Sequence, residues 1–180
     1  MSSTTTLSGQ LDLKCARGAS RPADLDCHRT ATEARPEWGQ FTENFAFLVP
    51  GASLPHLAAG TKEEAIGLLI DSLVGAGAIA AADRDELHEA VLRREELGTT
   101  GIGEGVAVPH TKHTSVTEVV GAVGYIPAGI DFDSVDGRPV HLVFLLISPP
   151  GASREHLLAL ESISRRLIDP AWESWHAPRS

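Results

Sequence analysis

The chain has 180 residues, 42% of them hydrophobic and 22% charged, which fits one ordinary domain with room for a core. Its formal net charge of −9 provides no basic footprint for a phosphate backbone, so nucleic-acid binding is not expected. The opening MSSTTTLSGQLDLK lacks a basic-then-apolar signal pattern, and no stretch reaches the roughly 18 uninterrupted apolar residues of a membrane helix. The expectation is a cytoplasmic chain with no direct membrane insertion.

Residues 1–45 are mostly Ser, Thr, Arg, Asp, Glu and Ala, with no sustained period of 3.6 or 2, and predict a polar, disordered extension. Cys15 and Cys27 both lie there, form no CxxC pair and read as free thiols. Phe41, Phe45, Phe47 and Leu48 break the polar pattern, so the folded unit is expected over residues 46–169.

Thr61-Lys62-Glu63-Glu64 has the form of a capping box and predicts a helix start. Ile66, Leu69, Ile70, Leu73 and Val74 recur at the spacing of a buried stripe, and Gly75 and Gly77 offer left-handed stops. Asp83 and Glu86 repeat the capping signal. Leu87, Ala90, Val91 and Arg94 then fall at helical spacing, which sets the Arg94 guanidinium in line with an apolar stripe, pointing inward or along a cleft edge.

Gly98 to Gly105 holds four glycines and reads as a loop leading into Val106-Ala107-Val108-Pro109-His110. Residues 118–126 and 139–148 read as strands, antiparallel neighbours joined through the Asp136-Gly137 turn. After Pro149-Pro150-Gly151, Ser153 is expected to cap a helix with His156, Leu160, Ile163 and Leu167 on one face. The layout is α/β, with sheet and helices sharing one core.

The glycine-rich segment matches neither GxxxxGK[ST] nor GxGxxG, so no nucleotide cradle is expected. His110 and His113 lack further ligands nearby, and Lys112 between them repels a cation, so no metal site is expected. What remains is a histidine after a proline, an inward-leaning arginine and a second histidine in the first turn of a helix. This combination suits an anion. A neutral imidazole keeps a nitrogen lone pair near pH 7 and can attack a phosphoryl group, which makes His110 the candidate nucleophile. His156, beside the positive end of a helix dipole, would stabilise phosphoryl oxygens, and Arg94 would neutralise their charge. Taken singly, each residue also has an ordinary structural reading. His28, His56, His88, His113, His141 and His176 have nothing beside them that demands a role.

Arg94-Glu95-Glu96, Thr99-Thr100-Gly101-Ile102-Gly103 and Gly105-Val106-Ala107-Val108-Pro109-His110 together resemble the enzyme IIA domain of the fructose/mannitol/nitrogen type in the bacterial phosphotransferase system. Thr61 to Ile66, Gly129 to Phe132, Val140 to Ile147 and His156-Leu157 follow in the same order. The resemblance implies a mixed β-sheet flanked by α-helices on both sides. It implies a phosphocarrier that accepts a phosphoryl group on His110 from the histidine phosphocarrier protein and passes it to an enzyme IIB domain or, in the nitrogen branch, uses it to switch regulatory partners. Arg94 and His156 match active-site positions, and Thr99, Thr100 and Gly101 match the loop that supports the phosphoryl site. No cofactor is implied. Residues 170–180 form a short tail where the family usually has a further helix. A transfer-inactive interaction module is the alternative that this shortening raises.

Overall fold

The computed structural model describes residues 38–167, so the expectations for residues 1–37 and for the tail lie outside the described residues. The first described element corrects the expected boundary at residue 45. Helix α1, Trp38–Glu43, buries Trp38 and Phe41. Phe41 and Phe45 both pack against Phe144, with ring centroids 6.0 and 5.2 Å apart. Their apolar surface belongs to the core, although the residues between them are polar.

Helix α2, Lys62–Gly75, starts as its capping box predicts. Thr61 Oγ1 accepts from the Glu64 N–H at 3.2 Å, and Glu64 Oε2 accepts from the Gly60 N–H at 2.8 Å. It ends in paired bonds from Gly77 N to the Val74 carbonyl and from Ala78 N to the Leu73 carbonyl, with Gly77 at φ +75°. Ile66, Leu69, Ile70 and Leu73 are fully buried. Each such side chain contributes about 1.5–3 kcal/mol of burial.

Helix α3, Arg84–Glu96, follows a short 3-10 turn over Ala81–Asp83. Here the second capping expectation fails: Asp83 has helical backbone angles and makes no side-chain cap. The glycine-rich segment is also more ordered than a loop. Strands β1, Gly101–Gly103, and β2, Val106–Ala107, pair antiparallel around a turn in which Gly103, Glu104 and Gly105 all take positive φ.

Strands β3, His110–Lys112, β4, Val120–Ile130, and β5, Val140–Ser148, complete one sheet. β5 lies at its centre. Its one edge carries β2 and then β3, both parallel to it, and its other edge carries β4 antiparallel. The expected β4–β5 pair therefore forms, although residues 131–139 connect it by a longer excursion with Asp136-Gly137 in its turn. The outer edge of β4 is covered by the chain before α2, through bridges Leu48–Gly121 and Leu54–Gly124. A Cβ on Gly121 would stand 2.7 Å from the Leu145 carbonyl oxygen and 2.8 Å from the Phe47 ring, so glycine permits that approach.

Helix α4, Ser153–Leu167, closes the described chain. Val143, Leu145 and Ile147 of β5 face α2 and α3, while Leu142 and Phe144 face α1, Phe45 and Ile163 of α4. Helices thus cover both faces of a mixed sheet. That double burial explains why β5 is apolar at nearly every position instead of alternating.

Candidate active site

β2 and β3 form in effect one strand interrupted at Val108-Pro109. Pairing with β5 covers Val106 and Ala107, passes through the Pro109 carbonyl, which accepts from Leu146 N at 3.0 Å, and resumes at His110 opposite Leu146. At the interruption, the His110 ring turns back so that Nδ1 lies 2.8 Å from the Val108 carbonyl. A carbonyl only accepts, so Nδ1 is the donor and holds the hydrogen. Nε2 is left with the lone pair.

The second histidine comes from the helix that follows the central strand. Pro149 to Gly151 turn the chain from β5 into α4, placing His156 in the first turn, with its N–H bonded to the Ala152 carbonyl at 3.0 Å. Ala152 therefore occupies the cap position expected of Ser153, which is the first residue of the helix. The His110 and His156 ring centroids are 5.3 Å apart, with planes inclined at 59°. His156 is 7% exposed, and its Nδ1 lies 2.7 Å from Oγ of Ser148, the fully buried last residue of β5.

Burial holds the pKa values of both imidazoles below the ordinary histidine value. At His110 the Val108 hydrogen bond opposes this, nearby Arg94 adds to it, and Glu95 opposes it. At His156 the positive charges of His110, when protonated, and Lys112 add to it. Both rings are thus held neutral at neutral pH, the state in which imidazole is a nucleophile.

Arg94 lies in the last turn of α3, half-buried, with Nη1 donating to the Gly98 carbonyl at 3.1 Å. Its charge reaches His110, and its hydrogen bond to Gly98 anchors the start of the glycine-rich segment. Thr99 Oγ1 donates to the Phe132 carbonyl at 2.7 Å and accepts from Gly101 N at 3.0 Å. Thr100 is buried against Glu95. Gly101 allows close approach of the β4–β5 connection: a Cβ there would stand 2.6 Å from Ser134 Oγ. The side-chain hydroxyls of both threonines are thus engaged in holding the segment rather than aimed at the histidines.

Three residues missing from the sequence-derived site belong to this environment. Lys112 lies two positions beyond His110 in β3, hence on the same side of the strand, and its Nζ donates to Ser153 Oγ at the start of α4 at 2.9 Å. Its spacing from His110 was a usable signal. Glu95 continues the Leu87–Val91 stripe by a further turn and is buried, a position where a carboxylate requires partners. Ser148 ends an apolar run and carries no sequence signal of its own. His113, by contrast, is engaged elsewhere, accepting from Ser115 N at 3.1 Å with Glu86 3.5 Å from its Nε2. Among the described residues, no group of three or more His, Cys, Asp or Glu converges as a metal cluster, and no helix is long and apolar enough to cross a membrane.

A mixed sheet with helices on both faces thus carries, at one end, two histidines that face each other with Arg94 and Lys112 nearby. The chain belongs to the family described as phosphoenolpyruvate-dependent sugar phosphotransferase system, EIIA 2, which matches residues 51–172. A nitrogen regulatory protein of Bradyrhizobium diazoefficiens is 40% identical over 122 residues, covering 68% of this chain and 78% of that one. The crystal structure of nitrogen regulatory protein IIA-Ntr from Neisseria meningitidis superposes with a TM-score of 0.64 at 30% identity, covering 74% of this chain and 90% of that one. Enzyme IIA of the mannitol system from Escherichia coli, solved in complex with phosphorylated enzyme IIB, superposes with a TM-score of 0.56 at 26% identity, covering 74% and 88%.

Proposed function

We propose that this chain is a cytoplasmic phosphocarrier that takes a phosphoryl group onto His110 Nε2 from the histidine phosphocarrier protein and yields it to an enzyme IIB domain or a regulatory partner. The observation that carries this reading is the His110–His156 pair, 5.3 Å between ring centroids, with Nδ1 of His110 donating to the Val108 carbonyl. In the transfer, an Nε2–phosphorus bond forms as the donor's nitrogen–phosphorus bond breaks, and the donor nitrogen keeps the bonding pair. Positive charge grows on the His110 ring, and the Nδ1–H bond to Val108 stabilises it. With Ser148 Oγ–H donating to Nδ1, His156 holds its hydrogen on Nε2 and offers it to a phosphoryl oxygen. Arg94, Lys112 and the first turn of α4 supply positive potential without a metal in this scheme.

The same chemistry serves a regulatory reading, in which phosphorylation of His110 decides which protein is bound. The two nitrogen regulatory relatives support that use, and the mannitol complex supports an enzyme IIB partner. The direct test is intact mass after incubation with phosphoenolpyruvate, enzyme I and the histidine phosphocarrier protein. One acid-labile phosphoryl adduct is expected, absent in His110→Ala and reduced in His156→Ala. A folded wild-type chain that takes up nothing from a competent carrier contradicts the proposal and leaves a binding-only module.

A further inference from the structure

Glu95 is a buried carboxylate, 5% exposed, to which the transfer scheme above gives no task. Burying such a charge is costly unless its oxygens are filled. Here both are. Thr100 N donates to each oxygen at 3.1 Å, Thr100 Oγ1 donates to Oε2 at 2.6 Å, and Lys62 Nζ stands 3.9 Å from Oε1.

The series continues through the backbone beyond Thr100. Its carbonyl accepts from Val108 N at 3.0 Å, extending the β1–β2 ladder by one step. Val108 N and the Val108 carbonyl belong to one residue, so the bond to Thr100 restrains that carbonyl as well. That carbonyl is the one that His110 Nδ1 meets at 2.8 Å. One unbroken hydrogen-bond series therefore runs from the last turn of α3 to the reactive imidazole. The Glu95 clamp thus fixes Thr100, whose carbonyl bond draws Val108 toward β1.

We propose that Glu95 is a positioning residue: by clamping Thr100 it fixes the Val108 carbonyl, and so holds His110 with its hydrogen on Nδ1 and its lone pair on Nε2. The inference rests on His110 being the phosphoryl acceptor. Glu95 never touches the phosphoryl group in this account. Its negative charge also favours the protonated His110 ring, which places the two groups within electrostatic reach.

The test uses the full chain labelled with nitrogen-15, in wild-type form and as Glu95→Gln, Thr100→Val and Arg93→Ala, the last an exposed position on the same helix. Imidazole nitrogen spectra of the unphosphorylated proteins report the His110 tautomer with no donor present. Wild type and Arg93→Ala are expected to show the Nδ1–H form, and Glu95→Gln and Thr100→Val a mixture of both forms. Phosphoryl uptake is expected to slow about tenfold in Glu95→Gln, the effect of one weakened buried hydrogen bond, with the KM for the donor protein little changed. Thr100→Val keeps the side-chain volume and carries the test if Glu95→Gln fails to fold. Wild-type tautomer and wild-type rate in the variants that fold overturn the proposal. A shifted tautomer in a protein whose wild type accepts no phosphoryl group upholds the hydrogen-bond series and defeats the carrier reading; normal uptake with unshifted tautomers does the reverse.

Discussion

Helix α2 and the segment from Gly98 to His110 are of similar length and lie close together, yet they are built by opposite means. In α2 the polar groups at both ends are satisfied within a few residues, by Thr61, Glu64, Gly77 and Ala78, and the middle is a stripe of aliphatic side chains. In the second segment short-range bonds are joined by several that reach across the chain. Thr99 binds Phe132, Glu104 N binds Asp136, and the Gly105 carbonyl accepts from His141 and Leu142. A region whose bonds are local folds to one shape on its own terms. A region whose bonds are distant takes its shape from its neighbours, and can hold a reactive ring in an orientation that local propensity would not select.

The contrast predicts separable losses, and the largest concern chemistry alone. His110→Gln is expected to abolish phosphoryl uptake while leaving the denaturant midpoint close to wild type, as judged by acid-labile phosphate and by urea unfolding. Leu69→Ala should do the opposite. Leu69 is fully buried in α2, so its truncation is expected to cost about 2.7–5 kcal/mol by urea unfolding, with uptake by the remaining folded protein retained. If Leu69→Ala slowed transfer as much as it lowered stability, the two regions would not be independent.

Smaller effects sharpen the division. Ser148→Ala removes the buried partner of His156 Nδ1 and is expected to slow uptake about tenfold, by stopped-flow or quench measurement, through loss of one buried hydrogen bond. Thr61→Ala should cost about 1 kcal/mol of stability and leave transfer untouched. Lys112→Ala, at an exposed side chain, is expected to slow uptake by up to about fivefold, an effect that added salt diminishes.

Acidity probes the same boundary. Because burial depresses the His110 pKa, the ring is neutral at pH values where a free histidine is already charged, so uptake should persist below pH 6.5 and fall only as pH drops through the lower folded value. The sign for stability agrees. A group with a depressed folded pKa stabilises the fold above its unfolded pKa, and that contribution is lost as pH falls through the folded one. An uptake profile centred above pH 6.5 would contradict the buried, neutral imidazole.

The local region was the legible one. The capping box, the stripe and the glycine stop of α2 are written in adjacent residues, as is the apolar run of β5, whose length marks a central strand. His110 and His156 were legible as chemistry-bearing residues, though nothing in their neighbourhoods places the rings 5.3 Å apart; that follows from β3 and the end of β5 being paired, Lys112 opposite Ser148. Helix α1 was missed because it is short, lacks a capping signal and owes its burial to Phe45, Phe144 and other distant residues. Asp83 shows the converse failure, a capping signal that the preceding 3-10 turn overrides by placing the residue in helical geometry. Glu95 was adjacent to a recognised arginine, but its burial depends on Thr100 folding back over it.

The most direct measurement is the phosphorus and nitrogen NMR of the phosphorylated chain labelled with nitrogen-15 in its histidines. The account predicts one phosphoryl group coupled to Nε2 of His110, with Nδ1 still hydrogen-bonded to the Val108 carbonyl. Coupling to Nδ1 of His110, or to any other residue, would contradict it.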